Sequence, residues 1–184
     1  MRVLAIQGSP RKKGNTALLL KHYLHGVEKS QPDVEIDRVF LQEKNITPCT
    51  GCYTCVNQKT SCIINDDMQE LYGKIVDADL LVFATPIYWW SISAQLKTFI
   101  DRFCPLNVAD FKGKKFALLM TYGMAQPNTG PQMVEDMFRE IWGHFDVDFA
   151  QSYGTCTEQY LPVAENKRAQ EDVYRLGNTI FTVP

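Results

Sequence analysis

Cys49, Cys52, Cys55 and Cys62 follow one another in a single short stretch as C-x2-C-x2-C-x6-C. Thiolates are soft ligands, and four of them complete an iron–sulfur cluster; C-x2-C-x2-C is a recurring three-ligand turn of such sites. A zinc site made of cysteines more often uses two C-x2-C pairs separated by a longer gap. The same residues also suit a redox pair, Cys52 with Cys55, or small apolar fillers beneath a loop. The spacing leaves these readings open. Cys104 and Cys156 stand apart from the group and read as packing residues.

A second group is Gly8-Ser9-Pro10-Arg11-Lys12-Lys13-Gly14-Asn15-Thr16, which is polar, cationic and rich in small residues. It lies between a buried strand and a helix N-terminus, where free amides and the positive end of the helix dipole meet. Ser9, Asn15 and Thr16 add short donors, and Arg11 adds a fork that suits phosphate oxygens. The chemistry is that of a phosphate cradle; an ordinary cap made by Asn15 and Thr16 is the plainer alternative. Neither the G-x-x-x-x-G-K-[ST] loop nor the G-x-G-x-x-G fingerprint is present.

A third group is Pro86-Ile87-Tyr88-Trp89-Trp90-Ser91, three adjacent aromatics in what should be a strand-to-helix loop. Rings there are costly to leave exposed and hard to bury by periodicity, and a flat ring system would use them. Tyr122 and Gly123, after another strand, offer a second wall. Core packing or a subunit interface is the alternative, most of all for Trp90. His22, His25 and His144 share no ligand-like spacing and read as surface or cap residues. Asp66 and Asp67 precede a helix and read as caps, with Asp67 opening a capping box that Glu70 closes. Asp101 and Arg102 suit an ion pair that fixes a helix end beside the ring site.

The frame that must position these groups is legible as alternation. Apolar runs at Val3–Ile6, Leu80–Ala84 and Lys115–Met120 predict buried strands, and Val34–Val39 alternates as a half-exposed edge strand. A weaker strand is expected over Val147–Tyr153. Between them run amphipathic stripes: Leu20, Tyr23, Leu24 and Val27; Met68, Leu71, Tyr72, Ile75 and Val76; Leu96, Phe99, Ile100 and Phe103; Val134 through Phe145; and Ala169, Val173, Leu176 and Ile180. The repeated strand–helix order predicts an α/β fold, a five-stranded parallel sheet in the order 2-1-3-4-5 between two helical layers. Its ligand belongs beyond the strand C-termini, which points to the three loops after the first, third and fourth strands.

Composition narrows the class. The 184 residues are 45% apolar and 22% charged, which excludes disorder, collagen and coiled coil and fits one domain, residues 1–184. With 19 basic against 21 acidic residues there is no field to hold nucleic acid. The most apolar stretch, Leu80 to Trp90, is too short for a membrane span and carries Pro86. No secretory leader is evident, so a cytoplasmic protein with reduced thiols is expected.

Together the three loops resemble the NAD(P)H-dependent FMN reductase branch of the flavodoxin-like superfamily. Gly8-Ser9-x-Arg11-x-x-Gly14-Asn15-Thr16 matches its G-S-x-R-x-x-G-N-T signature, and Pro86-x-Tyr88 through Leu96-Lys97-x-Phe99-Ile100-Asp101-Arg102 matches its P-x-Y…L-K-x-F-I-D-R pattern. The resemblance implies one flavodoxin-like FMN-binding domain that passes a hydride from NAD(P)H through FMN to a quinone, nitro, azo or similar acceptor. It puts the FMN phosphate on Ser9, Arg11, Asn15 and Thr16. The isoalloxazine would lie against Pro86, Ile87, Tyr88 and Trp89, with Tyr122 and Gly123 nearby. No side-chain acid or nucleophile is required. The cysteine spacing is similar to that of iron–sulfur flavoproteins of this superfamily, which implies, as the alternative, a [4Fe–4S] cluster on Cys49, Cys52, Cys55 and Cys62 and a role in electron transfer. A homodimer or homotetramer is expected, with the aromatic loop at its interface.

Overall fold

The computed structural model describes residues 1–158 and 161–182. Five strands form one parallel sheet: β1 (Arg2–Gln7), β2 (Glu35–Phe40), β3 (Leu80–Pro86), β4 (Lys115–Tyr122) and β5 (Asp148–Cys156), in the order β2-β1-β3-β4-β5. The helices are α1 (Asn15–Ser30), α2 (Thr54–Gln58), α3 (Met68–Asp77), α4 (Ala94–Asp101), α5 (Val108–Phe111), α6 (Gly130–His144) and α7 (Lys167–Thr179). The predicted topology is the one found. The short α2 and α5 fall where the sequence carries no stripe, because about one turn is too little to display a period of 3.6.

Strand alternation divides the core in two. Val3, Ala5, Leu80, Val82, Ala117 and Leu119 face α1 and α7, while Leu4, Ile6, Leu81, Phe83, Phe116 and Leu118 face α3, α4 and α6. β3 is buried along its whole length, so both its faces must be apolar, and its sequence is continuous rather than alternating. Phe83 sits edge-on to Phe99, Phe116, Phe138 and Trp142, joining the sheet to α4 and α6. β2 stays half-exposed at the sheet edge.

The strand ends differ from the sequence reading. β3 continues to Pro86 because Thr85 and Pro86 pair with Met120 and Thr121, and β5 begins at Asp148 and runs on to Cys156. Pairing with a neighbour extends a strand past the point where its own residues stop looking like one. The capping box at α3 does not form. Asp67 already has helical dihedrals, and its carboxylate accepts instead from the Asn45 amide at 2.8 Å. Asp66 accepts from the Met68 amide at 3.1 Å, and Glu70 turns outward to Lys74.

Candidate functional site

The loop after β1 is pinned on both sides. The Gly8 amide donates to the Ala84 carbonyl at 2.8 Å, and the Ser93 hydroxyl donates to the Gly8 carbonyl at 2.6 Å. A Cβ on Gly8 would lie 3.0 Å from Leu96 Cβ, so glycine lets the loop rest on α4. The buried Ser9 hydroxyl accepts from the Arg11 amide at 3.2 Å, and the Gly14 amide closes the turn on the Arg11 carbonyl. α1 then starts with Gly14 as its cap residue and no side-chain cap, which leaves the first-turn amides without an intrahelical acceptor. Asn15 Oδ1 accepts from the Val163 amide at 2.9 Å, and the Thr16 hydroxyl meets the Thr121 hydroxyl at 2.7 Å. Those two side chains therefore tie α1 to neighbouring segments, while their backbone amides remain at the helix end. Arg11 is exposed, and its guanidinium has no partner among the described residues.

Beyond β3, the Ile87 amide donates to the Thr121 carbonyl at 2.8 Å. Tyr88 and Ser91 exchange two backbone hydrogen bonds, 2.9 and 3.0 Å, closing a two-residue turn. Its central residues, Trp89 and Trp90, have φ of 48° and 60°. That left-handed geometry belongs to glycine or asparagine, and holding two tryptophans in it costs about 1–3 kcal/mol each. Trp89 is 91% exposed, Tyr88 44% and Trp90 45%. The Ile87 amide is used by β4 and the Tyr88 amide inside the turn, whereas those of Trp89 and Trp90 have no acceptor among the described residues. Tyr122 is half-buried, its carbonyl accepts from the Thr157 amide, and Gly123 is exposed. Burial pushes the Tyr122 phenol pKa up.

A third locus lies at the far end of α4. Cys49, Cys52, Cys55 and Cys62 line one cavity of 130 Å³, and Cys104 joins them. Cys104 is thus part of this group and not an isolated packing residue; its distance along the chain hides it, since only the fold carries the end of α4 to the loop. All five are free thiols. Hydrogen bonds from Thr54 lower the Cys52 pKa, and burial with the neighbouring thiols raises that of Cys104. Among the described residues no three histidine, cysteine or acidic side chains converge as ligands of a single ion must. A cluster asks for something else, one thiolate on each of several irons around a larger body. The soft donor set and the hollow between the sulfurs fit that.

Arg102 forms the floor of this cavity. It pairs with Asp66, Nη1 to Oδ2 at 2.6 Å and Nη2 to Oδ1 at 3.2 Å, with both side chains almost fully buried. The expected Asp101–Arg102 pair is absent. Adjacent helical residues point about 100° apart, so Arg102 turns inward and Asp101 outward to Lys97. Burial pushes the Asp66 carboxyl up, but hydrogen bonds from Arg102 and from the Thr47 and Met68 amides outweigh it and hold the carboxyl below its usual range.

These features meet a known family. A family model described as NADPH-dependent FMN reductase matches residues 1–148. The chain belongs to that family. The matched family is one of NADPH-dependent FMN reductases, the class that the loop resemblance implies. Among the relatives, an iron–sulfur flavoprotein of Archaeoglobus fulgidus is 35% identical over 84% of this chain and 69% of its own length. One from Methanocaldococcus jannaschii is 37% identical over 59% of this chain and 54% of its own length. The chain thus spans between about half and two thirds of these relatives. The crystal structure of azoreductase from Bacillus anthracis shares the fold, with a TM-score of 0.77 at 15% identity over 97% of this chain and 99% of the other. No helix among the described residues is long and apolar enough to cross a membrane.

Proposed function

We propose that this chain is one FMN-binding domain that takes reducing equivalents from NAD(P)H and delivers them to a small acceptor such as a quinone, nitro or azo compound. The observation that carries this is the meeting of an uncapped, cationic helix N-terminus with an exposed, strained aromatic turn across the C-terminal edge of the sheet. Arg11, the Ser9 hydroxyl and the amides of Asn15 and Thr16 hold the phosphate. Pro86, Ile87, Tyr88 and Trp89 form one wall of the ring site, and Tyr122 and Gly123 the other. The free amides of Trp89 and Trp90 face negative charge that develops at the ring edge.

The cysteine cavity favours a second component. Cys49, Cys52, Cys55 and Cys62 would hold a [4Fe–4S] cluster, and the names borne by the relatives agree. When bound, FMN supplies two-electron hydride chemistry and the cluster one-electron transfer. The domain acts as a homodimer or homotetramer in the cytoplasm, with Trp89 covered by a second copy and no nucleic-acid or membrane partner.

Anaerobic purification followed by a visible spectrum, total iron and acid-labile sulfide tests this reading. We expect flavin bands near about 375 and 450 nm and roughly four irons per chain. Serine at Cys49, Cys52, Cys55 or Cys62 should abolish the iron, and Cys104→Ser should keep it. Flavin without iron would leave a pure flavin oxidoreductase. A colourless protein that takes up no added FMN would overturn the whole reading.

A further inference from the structure

Of the groups lining the cysteine cavity, one is both charged and buried. Arg102 is 1% exposed, and its guanidinium is held from several sides. Besides the fork to Asp66, Nη1 donates to the Thr47 carbonyl at 2.7 Å. Nη2 donates to the Ile64 carbonyl at 3.5 Å and to the Cys62 sulfur at 3.4 Å. Thr47 and Ile64 flank the two ends of the cysteine stretch, so one cation ties both ends of that loop to α4. Nε is buried with no acceptor among the described residues. Burying an arginine and leaving one of its five donors unpaired is costly. A purely structural tie could use a neutral side chain, so the buried charge calls for a role in which charge matters.

The other end of α4 supplies the context. Ser93 caps α4 through its own hydroxyl and reaches the Gly8 carbonyl in the phosphate loop at 2.6 Å. One helix of eight residues, about 12 Å long, therefore runs from the cofactor loop to the cysteine cavity.

We propose that Arg102 is a positioning residue for the cysteine site: it sets the Cys62 sulfur and, through a charged N–H···S bond balanced by Asp66, raises the reduction potential there. This rests on the reading that the four cysteines hold a cluster. The step concerned is the gain of one electron, with no bond broken and no proton moved; the electron comes from the flavin in turnover and from dithionite in the titration. Reduction adds negative charge to the sulfurs. A cationic donor on one of them stabilises the reduced form more than the oxidised one, while the Asp66 carboxylate acts oppositely. The pair therefore acts as a setting with two opposed controls.

The test is an anaerobic redox titration of the loaded protein followed by electron paramagnetic resonance, with iron and sulfide counted first in every sample. At a fixed ambient potential, Arg102→Gln should lower the reduced-to-oxidised ratio about tenfold, about 59 mV for one electron. Asp66→Asn should raise it, and Arg102→Lys, which keeps the charge but loses the fork, should fall between wild type and Arg102→Gln. Unchanged potentials in fully loaded variants, or shifts of Arg102→Gln and Asp66→Asn in the same direction, would overturn the proposal. If Arg102→Gln fails to fold or to retain iron, Asp66→Asn decides alone: a rise supports the proposal, and no change or a fall refutes it. Absence of iron from the wild-type protein would sink the cluster reading and this inference with it, and the iron count tells that case from the others.

Discussion

Arg11 and Asp66 are both charged residues beside a loop, yet their surroundings give them opposite tasks. Arg11 is exposed, with no protein partner among the described residues, and stands next to uncapped amides, so its charge is available to a ligand. A charge-assisted hydrogen bond contributes about 1.5–3 kcal/mol. Arg11→Gln should therefore weaken FMN binding roughly ten- to a hundredfold, as read by quenching of flavin fluorescence on titration into the apoprotein. Asp66 is enclosed with Arg102. Removing one member of a buried pair costs about 3–5 kcal/mol, so Asp66→Ala should lower the denaturation midpoint sharply. Asp66→Asn should cost less, because its single amide oxygen still accepts from one of the two amides, Thr47 or Met68, that the carboxylate serves with separate oxygens. The folded carboxyl titrates below its usual value of 3.8. Its stabilisation is therefore complete above that value and is lost as pH falls through the lower folded one. Asp66→Asn should flatten the acid limb of the stability curve, and an unchanged limb would refute this assignment.

Helices α1 and α7 show how an element can be readable while its contact is not. Their apolar stripes are plain, and both helices form where the stripes lie. What brings their backbones together is a pair of glycines. A Cβ on Gly26 would sit 2.1 Å from the Tyr174 carbonyl oxygen, and one on Gly177 would sit 2.1 Å from that of Tyr23. A neighbouring helix backbone cannot yield as a side chain can, so Gly26→Ala or Gly177→Ala should destabilise by about 1–3 kcal/mol or more, and a thermal melt should show it. The turn at Trp89 and Trp90 behaves in the opposite sense. Glycine at Trp90 relieves a left-handed dihedral, so Trp90→Gly should stabilise the cofactor-free chain by about 1 kcal/mol while weakening flavin binding. Unchanged stability in that variant would mean that the turn stores no strain.

For the molecule as a whole, FMN should stabilise in proportion to its binding. At a hundred times Kd the gain is about 2.7 kcal/mol, and a concentration-dependent melting temperature should report it. With Trp89 91% exposed, the isolated chain presents a large ring to solvent at the mouth of the site. Light scattering should give a mass of at least two chains, and Trp89→Ala should shift that mass towards one.

The strands and helices, the facing of their side chains and the places of the candidate loops follow from hydrophobic period and turn composition, because burial acts locally on each strand and helix. The cysteine spacing gathers four thiols in one stretch and leaves their chemistry open. Tertiary structure decided the rest. Cys104 lies far along the chain from Cys49, and only the path of α4 brings them into one cavity. Asp66 and Arg102 each have an acidic neighbour at hand, Asp67 and Asp101, and local rules favour a cap and an adjacent ion pair. Packing instead buries both, and a buried charge must take the opposite charge that the fold places beside it. The Trp89–Trp90 turn runs against local preference altogether, since its two tryptophans occupy dihedrals that suit glycine. It persists because Tyr88 and Ser91 close it and the Thr121 carbonyl of β4 holds the preceding Ile87 amide, constraints that come from residues on either side of the two tryptophans.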